Sequence, residues 1–166
     1  PSGSSGSIGE LGVAVDQSSG NVYVTDNEND RVVKSDSTGT NLAQWGTGPN
    51  ADGKLKSPHG VAVNQSSGDV YVADTGNNRI QRFSSTGTYL GKWGTNGTGN
   101  GVLEGVDHVA VNSTSGDVYA TDQGGDLLAV QRAQFGQFGQ QRGVEGEGRR
   151  PALGQRRISL VEELRP

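Results

Sequence analysis

The stretch SSGDVYVADTGNNRIQRF, residues 66–83, decides the fold because the chain writes it three times. Its counterparts are SSGNVYVTDNENDRVVKS at 18–35 and TSGDVYATDQGGDLLAVQ at 114–131, each offset by 48 residues. The same offset relates Gly12, Gly60 and His108; Asp16, Asn64 and Asn112; Gly20, Gly68 and Gly116; and Tyr23, Tyr71 and Tyr119. Asp26, Asp74 and Asp122 follow it too, and the first two copies also match at Arg31/Arg79, Gly39/Gly87 and Trp45/Trp93. A fixed period in the forties means one supersecondary unit per repeat.

Each copy divides into four short segments, clearest in the second. GVAV (60–63) reads as a short apolar strand and DVYVAD (69–74) as an alternating one. RIQRF (79–83) and YLGKWG (89–94) supply two more. QSSG, TGNN and STG separate them as turns, with Gly and Asn at positions that need positive φ. One small antiparallel sheet cannot bury both faces alone, so successive sheets must stack. The expected architecture is all-β: a partial β-propeller of four-stranded antiparallel blades, with the first strand at the crowded axis. A linear solenoid is the rival, but its repeats usually hold fewer elements and are shorter.

Composition agrees. Only 30% of the 166 residues are hydrophobic and 28 are Gly. That alone would point to disorder, but Val and Tyr cluster in short runs between turn residues, as in an all-β chain. The chain has no Cys, which removes disulfides and thiolate metal sites. Absence of Cys is compatible with export without showing it; location stays open, with a lean to the extracellular space or cell surface. No apolar run reaches transmembrane length and no signal peptide is legible, so no membrane partner is expected. A net charge of -4 argues against nucleic acid, whose phosphates need a basic surface.

The pattern G-V-A-V-[DN]-x-S-S-G-[ND]-V-Y-V-x-D-x-x-N-x-R-[IV], closed by a fourth strand ending W-G, resembles the NHL repeat. The resemblance covers residues 12–94 well and 107–126 partly. It implies blades of β-propellers, commonly six-bladed, that act mostly as recognition platforms. Some relatives are protein-binding or RNA-binding modules. Others resemble amidating lyases, streptogramin-type lyases or sugar-lactone hydrolases, with sites at one mouth of the central channel. Three units are legible here and a propeller needs at least four blades. Further blades of a longer chain, or self-association, are therefore expected to complete the ring. The expected organisation is an inter-blade loop remnant at 1–11, blades with their connectors at 12–57 and 58–105, an incomplete blade at 106–140 and a tail at 141–166.

The third copy loses its ending. DTGNNRI becomes DQGGDLL at 122–128, and seven of the ten Arg lie from Arg132 onward. Phe138 stands in for Trp93 if the third unit is three residues short. Three readings compete: a basic disordered tail for an acidic partner, a diverged blade followed by a short helix ISLVEELR (158–165), or a slipped reading frame near Leu127. The abruptness of the change favours the last. The tail is thus expected to be irregular or short-helical.

Asp26, Asp74 and Asp122 end the second strand of each copy and are read as structural turn carboxylates. Arg31 and Arg79 are expected to pair with a carboxylate nearby. Trp45 and Trp93 are assigned to packing between blades. DNEND (26–30) fails as a calcium loop because Arg31 sits where Gly is required. GPNADGKL (48–55) fails as a phosphate loop because Leu55 replaces the magnesium-binding hydroxyl. The unrepeated His59, Asp107 and His108 fall just before the innermost strand and are expected to converge at the channel mouth. That set contains the ingredients of a divalent-metal or acid–base site, and also of a merely solvated polar rim.

No nucleophile, no partnered general base and no enzyme-family motif is legible, so catalytic residues and organic cofactors are not expected. The favoured reading is a non-catalytic scaffold that displays connectors such as TNGTGNGVLEGVD (95–107) to a protein, glycan or small polar ligand. One alternative is a fragment of a propeller lyase or hydrolase with a metal at the channel mouth. Another is a structural segment of a large surface protein.

Overall fold

The computed structural model describes residues 12–94, 103 and 105–122, together with the backbone of strands at 127–130 and 158–159. The first unit holds β1 (Val13–Val15), β2 (Val22–Asp26), β3 (Arg31–Ser35) and β4 (Asn41–Trp45). The second holds β5 (Val61–Val63), β6 (Val70–Asp74), β7 (Arg79–Phe83) and β8 (Tyr89–Trp93). The third holds β9 (Val106–Val111), β10 (Val118–Asp122) and β11 (Leu127–Val130), with β12 (Ile158–Ser159) beside it.

Each group forms one four-stranded sheet. The first two are antiparallel meanders with matching register: Val13 faces Val24 as Val61 faces Val72. The sequence repeat is therefore a structural repeat. In the third sheet the outer position is taken by β12, which runs parallel to β11 with Ile158 opposite Leu127. This corrects the expected helix at its first residues. The outer edge of β11 offers unpaired backbone groups, and an extended segment satisfies them where a helix would not. Phe138, residues 1–11 and the rest of the tail lie outside the described residues.

The turns follow from Asx and hydroxyl chemistry. Asp16 accepts from the Ser18 N–H (2.9 Å), the Ser18 hydroxyl (2.7 Å) and the Ser19 hydroxyl (2.6 Å). Asn64 and Asn112 accept the equivalent N–H groups of Ser66 and Thr114. Gly20, Gly68 and Gly116 close these turns at φ of 72°, 75° and 80°.

Between the first two sheets, Tyr23, Val32, Ala14 and Trp45 meet Val61, Val63, Val70, Val72 and Phe83. Between the second and third, Tyr71, Ala73, Ile80 and Trp93 meet Val106, Val109, Val118 and Ala120. These layers are wedge-shaped. At the inner strands the backbones nearly touch: a Cβ on Gly12 would lie 2.3 Å from the His59 carbonyl oxygen. At the outer strands bulky rings hold the sheets apart, with Trp45 of the first sheet 5.9 Å from Phe83 of the second, centroid to centroid. Thin at one side and thick at the other, each layer turns the next sheet about a common axis. The molecule is a partial β-propeller. Trp93 is part of the cluster between the second and third sheets, and Trp45 packs against the cluster between the first and second.

The connector from β4 to β5 is clamped to the second sheet. Asp74, fully buried, accepts from the Lys56 N–H (2.7 Å), Arg79 Nε (2.6 Å) and Gln81 Nε2 (2.8 Å). Arg79 Nη2 donates to the carbonyls of Ala51 and Lys54, and Gln81 Nε2 to that of Lys54. The first copy has a looser version: Asp26 accepts from the Asn29 N–H (3.2 Å) and Arg31 Nε (2.8 Å). The Arg31 side chain is 33% exposed against 9% for Arg79. Burial raises the Asp26 pKa, but the bonds from Asn29 and Arg31 outweigh it and the net shift is downward. Asp122 ends β10 half-buried, and the turn after it lies outside the described residues. Among the described residues no helix is long and apolar enough to cross a membrane.

Candidate functional site

The unrepeated polar residues meet at the connector end of the inner strands. His59 directly precedes Gly60 and β5 and is held by its backbone. Its N–H donates to the Ala73 carbonyl (3.0 Å), and its carbonyl accepts from the Thr25 hydroxyl of the first sheet. Thr25 also accepts the Gly12 N–H (2.8 Å), so three chain segments converge on this point. Asp107 is fixed in the same way: its carbonyl accepts the Gly60 N–H at 2.8 Å.

The side chains then join across the junction of the second and third sheets. His59 Nδ1–H donates to Asp107 Oδ1 at 2.6 Å. His108 Nδ1 lies 3.2 Å from Asp107 Oδ2. The His59 and Asp107 side chains are 19% and 31% exposed, whereas that of His108 is 77% exposed. The result is a carboxylate bridging two imidazoles, recessed on one side and open on the other.

The sequence placed Asp107 and His108 just before the innermost strand. The structure places them inside it, because β9 begins at Val106. A register shift between Thr121 and Asp122 lets Val106 pair with Asp122 and extends the strand backwards. The metal assignment of His59, Asp107 and His108 is not carried by the geometry. Asp107 turns its two oxygens onto the two Nδ1 atoms, so the three groups face one another and not a common point. Among the described residues no group of three or more His, Cys, Asp and Glu side chains is arranged to hold a metal ion. The arrangement can instead orient imidazole toward a polar ligand, or poise it for proton transfer. Of the displayed connector at 95–107, the described residues include only Leu103, buried between the second and third sheets, and Gly105–Asp107.

Sequence reasoning missed Thr25 and a ladder at the opposite end of the inner strands. The Gln17 N–H donates to Gln65 Oε1 (2.9 Å), the Gln65 N–H to Ser113 Oγ (2.8 Å) and the Ser66 hydroxyl to the Ser113 carbonyl (2.7 Å). A signal existed, because Gln17, Gln65 and Ser113 share one register. A polar residue kept in register on an exposed turn invites a neighbouring turn as its partner.

Comparison with known proteins agrees with this architecture. The family model described as NHL repeat matches residues 11–34 and 55–83, so both segments are NHL repeats. A chain of the nidogen/laminin complex is 22% identical over 68% of this chain and 39% of that one, with a TM-score of 0.54. A chain of hydrazine synthase from Kuenenia stuttgartiensis is 10% identical over 74% and 33%, with a TM-score of 0.57. Virginiamycin B lyase from Staphylococcus aureus is 16% identical over 74% and 41%, with a TM-score of 0.47. The chain thus spans 41% or less of the length of each. The first two likenesses show a shared fold. No curated protein matches the sequence.

Proposed function

We propose that this propeller segment is a non-catalytic binding scaffold that holds a polar partner, a protein, glycan or small ligand, at the mouth around His59, Asp107 and His108. The observation that carries the reading is a division of labour among polar side chains. The repeated Asp74 and Arg79 are consumed in clamping sheet to connector. The unrepeated cluster joins side chains across the junction of two sheets and lies open at His108. Its two imidazoles and one carboxylate offer donors and acceptors together, which suits hydroxyl and amide groups better than phosphate. The backbone bonds of His59 and Asp107 fix it before a ligand arrives, which lowers the ordering cost of binding. The nidogen/laminin complex is by name an assembly of proteins, and a shared fold is in keeping with a protein partner here.

The test is a titration of the isotopically labelled chain with short acidic peptides, short basic peptides and neutral oligosaccharides, read at the imidazole signals. At least one class should shift both histidines, and His59→Ala/His108→Ala should lose that binding with the fold intact. Unchanged affinity in the double variant overturns the proposal. The enzyme reading is favoured by one feature, the imidazole of His59 held by a carboxylate. Turnover of an ester or lactone, abolished by His59→Ala, would put that reading in its place.

A further inference from the structure

The two ends of the sheet stack are complementary. On the outer face of the first sheet, Val13 is 65% exposed and Val15 47%, whereas their counterparts Val61 and Val63 are 7% and 6% exposed. Val22 and Val24 are half-buried, while Val70 and Val72 are fully buried. The second sheet differs in having a sheet in front of it. At the other end, Tyr119 is half-buried where Tyr23 and Tyr71 are buried, and Ala110 is exposed where Ala14 and Ala62 pack against their neighbours. The first sheet offers the valine side, and the third the alanine–tyrosine side, of an interface the chain already makes twice.

We propose that two copies of this chain associate head to tail, the valine face of each seating on the Tyr119 face of the other. The new contact continues the existing inter-sheet interface, so its occupant is another unit of this repeat and not a polar ligand. It is heterologous, and such a contact gives either a ring or a filament depending on whether the rotation closes. The wedge-shaped layers supply a constant rotation toward one axis. Two copies bring together six of the described sheets, within the range of closed propellers.

One residue sets how tightly the copies join. His108 stands in the register of Gly12 and Gly60. A Cβ on Gly12 would approach the His59 oxygen to 2.3 Å, and one on Gly60 would approach the Asp107 oxygen to 2.8 Å. His108 brings such a Cβ to the junction between copies, which is held wider than the two junctions inside each copy.

The test is sedimentation of the full chain over a wide concentration range. The expected result is a monomer–dimer equilibrium with no larger species. Val13→Glu/Val15→Glu changes surface positions of the monomer, so it keeps its circular dichroism, and it should weaken the dimer at least about tenfold. His108→Gly should tighten it by about tenfold or more. The chain lacks Cys, so single Val13→Cys and Tyr119→Cys copies can be mixed with a short bis-maleimide. The mixture should crosslink, and Val13→Cys alone should not. A monomer at every concentration overturns the proposal and assigns the valine face to a repeat elsewhere. Crosslinking of Val13→Cys to itself, a dimer indifferent to the glutamates, or open-ended polymers overturn it as well.

Discussion

Replacing Gly60 by Ala tests whether the inner strands are as close as the wedge requires. Gly60 lies outside the left-handed region, so alanine is not opposed by its backbone conformation. The difficulty is space. The added Cβ would sit 2.8 Å from the Asp107 oxygen, 2.8 Å from His108 Cα and 2.9 Å from the Val109 nitrogen. These are backbone atoms that cannot rotate away. Restoring ordinary contact at 3.4 Å requires the strands to part by about 0.6 Å. Overpacking of this kind costs roughly 1–3 kcal/mol. The Gly60 N–H to Asp107 carbonyl bond also stretches from 2.8 Å, with a loss of about 1 kcal/mol. Reduced freedom of the unfolded chain returns about 0.4–1 kcal/mol. The net destabilisation should be roughly 1–3.5 kcal/mol, measured by urea unfolding followed through Trp45 and Trp93 fluorescence. The same separation should pull Asp107 from His59 and move the His59 imidazole signal. Gly39→Ala is the control: with φ at 87° and no atom within 4 Å, it carries backbone strain but leaves His59 untouched. If Gly60→Ala lies within about 0.5 kcal/mol of the parent, or leaves the His59 signal unmoved, the close-packed axis is refuted.

Asp74→Ala and Asp26→Ala should separate sharply in the same unfolding assay. The first strands the buried Arg79 guanidinium and should cost about 3–5 kcal/mol, whereas the more exposed Asp26–Arg31 pair should cost about 1 kcal/mol. Asp16 gives a pH signature: hydrogen bonds from the Ser19 and Ser18 hydroxyls lower its pKa from 3.8 to about 2. A depressed carboxylate stabilises above its unfolded pKa, and that contribution fades as pH falls from 3.8 toward 2. Asp16→Asn, which restores the residue found at Asn64 and Asn112, should keep the turn near neutral pH and flatten the acid limb in that window.

The fold was legible because each repeat states the same pattern of Val, Tyr, Asp, Gly and Trp at one spacing, so local readings confirmed one another. The division of each copy into short antiparallel strands needed nothing beyond alternation and turn chemistry. The role of Asp74 was legible only in part. It was read as a turn carboxylate, yet it also receives the Lys56 N–H from the connector behind it. Gln81 looked like an ordinary polar strand residue and is fully buried, because the Lys54 carbonyl and Gly53 N–H arrive from far along the chain. Periodicity along one segment carries no record of which distant backbone group will need a partner. The meeting of His59 with Asp107 could be anticipated from their shared register, but their mutual pairing could not. Asp107 lies beside the shift at Thr121–Asp122, which no residue in the 48-residue pattern announces.

The clamping of the β4–β5 connector bears on how such chains can be recombined. Arg79, Gln81 and Asp74 grip Ala51, Gly53, Lys54 and Lys56, so the loop belongs mechanically to the sheet that follows it. A module exchanged from Gly46 to Trp93 would travel with its own fastenings. One cut at Pro58 would leave a buried guanidinium facing a foreign loop. Heredity by whole-unit duplication is thus safest when the breakpoint falls at the outermost strand, ahead of the loop.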